Sequence, residues 1–80
     1  MQLSIVKQLV SDYDLAQLET AETAILDEVE PDIVVEGIDE GEKLTHIMAA
    51  IWVKKEMAKE DLPLPIALRN YTLKVRTSIS

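Results

Sequence analysis

Leu44-Thr45-His46-Ile47-Met48-Ala49-Ala50-Ile51-Trp52-Val53-Lys54-Lys55-Glu56-Met57 is the stretch that decides the architecture. A helix packed on one side needs roughly three apolar positions per heptad. Here Leu44, Ile47, Met48, Ala49, Ala50, Ile51, Trp52, Val53 and Met57 go well around the cylinder. Such a helix is either the central element, enclosed by other helices, or it is shared with another chain. The chain has 80 residues, and at that size only about two-thirds of the unfolded surface is buried, so oligomerisation is a usual remedy. The sequence is therefore read as both together: an all-α, compact bundle of three to four helices that dimerises through part of this helix. Met48, Ile51 and Trp52 are its interface candidates, with Trp52 left open between core and interface.

Outward from that stretch, Asp39-Glu40-Gly41-Glu42 supplies a helix start, with Asp39 as N-cap and Glu42 reaching back from the third position. Lys54, Lys55 and Lys59 lie toward the far end, where the macrodipole favours cations, and the helix is placed at 40–60. Pro65 suits the first turn of a last helix, 64–79, with apolar residues Leu64, Ala67, Leu68, Tyr71, Val75 and Ile79. Toward the N-terminus, Leu3, Val6, Leu9, Val10 and Tyr13 recur at helical spacing, predicting a short helix over 2–12. Asp14 with Gln17 has the form of a capping box for a helix over 14–28 that buries Leu15, Leu18, Ala21 and Ile25, with Val29 a further candidate for the buried face; a merger of the two into one bent helix is the variant reading.

Between 29 and 38 the helical pattern fails. Pro31 cannot continue a helix, Ile33, Val34 and Val35 are β-branched in succession, and Gly37 punctuates. No second strand is on offer, and an isolated strand has no stability of its own, so this is read as an irregular or extended connector laid over the core. The whole forms a single helical domain, 1–80.

Charge divides the chain. Residues 1–42 hold twelve acids and one base; residues 43–80 hold three acids and seven bases, within an overall charge of −7. Asp39, Glu40 and Glu42 at a helix start, and Lys54, Lys55, Lys59, Lys74 and Arg76 toward helix ends, stand where a helix macrodipole favours them. Asp27, Glu28 and Glu30 do not: they sit at or beyond a helix C-terminus, where an acid is disfavoured by a few tenths to about 1 kcal/mol. This acidic corner is the other interface candidate, facing a basic protein partner. Direct nucleic-acid binding is not expected of so acidic a chain, although Arg69, Lys74 and Arg76 cluster near the end.

The chemistry-bearing residues are sparse. There is no cysteine, which excludes disulfides and thiolate zinc sites and fits a reducing cytoplasm. His46 is the single histidine and follows Glu42 by one turn, so a metal reading rests on these two and needs a symmetric dimer to double the ligands. No calcium loop, glycine-rich phosphate loop or nucleophile elbow is present, and no catalytic residue or cofactor is assigned. The longest apolar run, Ile47 to Val53, falls far short of the ~20 residues that span a bilayer. Leu3 to Val10, broken by Lys7 and Gln8, reads as an amphipathic segment rather than a signal peptide.

The opening Met1-Gln-Leu-Ser-Ile-Val-Lys-Gln-Leu-Val, the acidic middle, and the stretch from Ala49 through Met57 to Ala67-Leu-Arg-Asn-Tyr resemble a family of short, uncharacterised bacterial proteins, a domain of unknown function. The pair Pro63 and Pro65 departs from the more polar helix start of that pattern. The resemblance implies no active residue. The function expected is a cytoplasmic, homodimeric protein–protein interaction or regulatory module with an acidic partner-facing surface. A variant is an acidic regulator that occupies the basic site of a nucleic-acid-binding partner. The alternative is a metal-binding or small catalytic helical protein using Glu42 and His46 across a dimer.

Overall fold

A computed structural model describes residues 1–79, with side chains through residue 76. Four helices follow in order: α1 (Leu3–Asp12), α2 (Leu15–Leu26), α3 (Glu40–Glu60) and α4 (Leu64–Ile79), with no strand among the described residues. The side chain of Ile79, assigned to the apolar face of the last helix, lies outside the described residues.

The long apolar helix is the centre of the molecule. Each of α1, α2 and α4 packs against α3, which explains why its apolar residues go around the cylinder rather than along one stripe. His46, Ile47, Ala49, Ala50, Ile51 and Val53 of α3 are buried, and they join Ile5, Val6, Leu9 and Val10 of α1, Leu18, Ala21 and Ile25 of α2, and Ala67 of α4 in one core. Ala49, Ala50 and Ala67 are wholly enclosed; alanines at such positions allow helix axes to approach closely. Each fully buried Leu18, Ile47, Val6 or Val53 contributes on the order of 1.5–3 kcal/mol.

Local chemistry sets the boundaries. Asp14 Oδ1 accepts the Gln17 N–H at 2.8 Å, and Gln17 Oε1 accepts the Asp14 N–H at 2.9 Å, a reciprocal cap that opens α2. Tyr13 and Asp14 are extended, so α1 and α2 are separate helices rather than one bent rod. Asp39 Oδ1 accepts the Glu42 N–H at 2.8 Å, and the Glu42 carboxylate accepts the Ile38 N–H, one residue before the cap. Pro63 offers its carbonyl to the N–H groups of Ile66 and Ala67, and Pro65 falls in the first turn of α4, where its missing N–H has no intrahelical acceptor to lose.

α2 stops at Leu26, two residues short of the extent expected from the sequence. The physical reason is a Schellman closure: the Val29 N–H reaches the Ala24 carbonyl at 2.8 Å and the Glu28 N–H reaches Ile25 at 3.1 Å, with Glu28 in the left-handed region at φ 59°. Asp61 ends α3 in the same conformation, φ 54°. Within the connector, Ile33 is half-buried, Val34 exposed and Val35 buried, so the β-branched trio alternates inward and outward as an extended segment without a pairing partner.

Candidate functional site

His46 is fully buried, and both of its ring nitrogens are committed to backbone. Nε2 accepts the Gln2 N–H at 3.0 Å; Nδ1 stands 2.8 Å from the Glu36 carbonyl oxygen. A carbonyl can only accept, so Nδ1 carries the proton and Nε2 is the acceptor, which fixes the neutral tautomer. The ring thus ties three segments together: the start of α1, the end of the connector and the first half of α3. Glu42 is engaged elsewhere, by the Ile38 N–H. The two metal candidates are therefore not brought together on a common position, and neither His46 nitrogen retains a lone pair for an ion. No group of three or more potential ligands assembles among the described residues.

The connector is pinned at both ends. At its start stands the Schellman turn on Glu28. At its end, Glu36 is held by His46, the Ile38 N–H by Glu42, and Gly37 lies so close to α3 that a Cβ there would come within 2.9 Å of the Lys43 backbone nitrogen. Only a residue without a side chain permits that approach.

What this fixed segment presents is unusual for a small helical domain. Leu26 (62% exposed), Val29 (60%), Val34 (74%) and Ile38 (87%) all show their side chains to solvent. They stand in a stretch, residues 26–40, that holds seven acids and no base. Asp27, Glu28 and Glu30, the acidic corner expected from the sequence, are all exposed at its near end. Between the end of α2, the connector and the start of α3 lies a surface basin of about 840 Å³, with Glu28, Glu30 and Asp32 beside Leu26, Val29 and Val34. A cation enters its lining only at Lys43, which pairs with Glu40 at 3.6 Å.

The three candidates on the central helix are placed differently from one another. Ile51 is buried in the chain's own core, and Met48 is half-exposed. Trp52 is partly buried and covered by α4: its ring lies 5.5 Å from that of Tyr71 with planes tilted by 55°, and Lys74 Nζ stands 6.0 Å from its centroid. Both are favourable aromatic and cation–π arrangements. Burial pushes the Tyr71 phenol above its ordinary value of 10.0.

The exposed apolar side chains of the connector and the His46 joint escaped sequence reasoning. A signal for the second existed: His46, Ala49, Ala50 and Val53 share one stripe at helical spacing, so the histidine belongs to the buried face. Over residues 1–80 the chain matches the model of a family of unknown function (DUF6952), and it belongs to that family. Neither the curated proteins nor the solved structures include a match.

Proposed function

We propose that the protein is a small cytoplasmic interaction module whose recognition surface is the acid-rimmed, apolar connector, and that its partner is a basic amphipathic segment of another protein. The observation that carries this is the coincidence of four exposed aliphatic side chains with seven acids and no base in residues 26–40. Exposed apolar residues scattered singly need no explanation, but Leu26, Val29 and Val34 share one basin with Glu28, Glu30 and Asp32, and an apolar patch rimmed by one sign of charge is what a partner of the opposite sign reads. The pins at Glu28, Glu36, Gly37 and Ile38 support the reading, because a surface already held in shape loses little entropy on binding. No helix among the described residues is long and apolar enough to cross a membrane, which suits the location.

Calorimetric titration with a lysine- and leucine-bearing amphipathic helical peptide tests it. Binding is expected to weaken at least tenfold in the double variant Val34→Ser, Ile38→Ser, which keeps every charge, and to weaken again with added salt. Equal affinity in wild type and double variant would reduce the interaction to nonspecific charge attraction and end the proposal.

A further inference from the structure

The molecule carries a second apolar depression, and its charge is opposite. Between the first turns of α1 and α4 lies a groove of about 320 Å³ floored by Leu3, Leu64 and Leu68, with Lys7 and Arg69 on its rim. Both cations are exposed, and neither forms an ion pair among the described residues, in a chain with 15 acids. Seven of those acids are gathered in residues 26–40, with no base among them. The two surfaces also adjoin. The backbone of Gln2, next to Leu3 of the groove, and the backbone of Glu36 in the connector are bound to opposite nitrogens of the same imidazole.

Two adjoining patches, one apolar with basic rim and one apolar with acidic rim, form a surface complementary to itself under a two-fold rotation. We infer that two copies of the chain pair in this way, each laying its Val34 to Ile38 connector stretch in the α1/α4 groove of the other. The inference rests on the reading of the connector as a recognition surface, and it names a second copy as one occupant. It moves the dimer contact away from α3, whose Ile51 and Trp52 are already covered within one chain. It also means that a basic partner and a second copy compete for the connector.

Charge reversal in mixed pairs decides the matter by sedimentation velocity. Wild type should form a reversible dimer that salt weakens. The groove variant Lys7→Glu, Arg69→Glu and the connector variant Asp32→Lys, Glu36→Lys should each run as a monomer of about 9 kDa. Mixed in equal amounts they should associate, because each then meets its complement in both contacts. Circular dichroism on each variant confirms that the helices are intact. A monomeric wild type, undiminished self-association of either variant, or a mixture that stays monomeric overturns the inference. The groove variant keeps the connector unchanged, so its binding of the basic peptide is read separately, and loss of the dimer leaves the proposed function standing.

Discussion

Replacing His46 should unfasten the connector, and its two nitrogens can be tested one at a time. In His46→Ala both hydrogen bonds go, at a net cost of about 1 kcal/mol each, and the loss of a fully buried ring adds roughly 1–2 kcal/mol of packing and cavity cost. The total, about 3–4 kcal/mol, is a large part of the ~4–12 kcal/mol that a domain of this length has in hand. His46→Asn places an amide N–H where Nδ1 was and keeps the bond to Glu36; His46→Gln places a carbonyl oxygen near the Nε2 position and keeps the bond from Gln2. Each should cost about 1–2 kcal/mol. Urea unfolding gives the energies, and amide hydrogen exchange gives the location. His46→Asn should speed exchange at the start of α1, around Gln2 to Val6, while His46→Gln should speed it around Glu36 to Ile38. If His46→Ala costs under ~1 kcal/mol, or if the two conservative variants loosen the same end, the ring is not the joint described.

Glu28→Gly should stabilise the fold by about 0.5–1 kcal/mol, since glycine holds φ 59° without Cβ strain and an acid leaves a helix C-terminus; the urea midpoint rises with an unchanged slope. Gly37→Ala should destabilise by about 1–3 kcal/mol, because the new methyl meets both Cγ and the backbone nitrogen of Lys43 at 2.9 Å, and although the side chain can swing away the helix backbone cannot. Trp52→Ala should cost about 2–4 kcal/mol through the lost contacts to Tyr71 and α4, with self-association unchanged in the folded protein. The raised Tyr71 phenol means that the native state keeps this proton when the unfolded chain has released it. The stability it contributes is present below pH 10 and is lost as pH rises beyond it, an alkaline loss that Tyr71→Phe should reduce.

The starts of α2, α3 and α4 were legible because each has a local cause written in adjacent residues. Asp14 with Gln17, Asp39 with Glu42, and Pro65 act over three or four positions, and all three helix starts stand where those residues place them. The central position of α3 was legible from periodicity alone. The end of α2 was not, because Glu28 takes a left-handed conformation that the sequence would more naturally assign to glycine or asparagine; the hydrogen bonds of the closing turn override the residue's own preference. The connector was visible as a break in pattern, but its shape depends on contacts of long sequence separation, above all Gln2 to His46, which no local spacing reports. Likewise the acidic corner at Asp27, Glu28 and Glu30 could be read from charge, whereas the exposure of Val34 and Ile38 beside buried Val35 depends on which way a pinned, unpaired segment turns its alternating side chains.

On the function proposed, the pinned connector is a surface made for a basic amphipathic partner. Titrating such a peptide into isotope-labelled protein and following the backbone amide resonances tests it directly. The shifts should concentrate in residues 26–40 and leave the outer face of α2 unmoved. Shifts spread evenly over the acidic surface, or none at the connector, would contradict it.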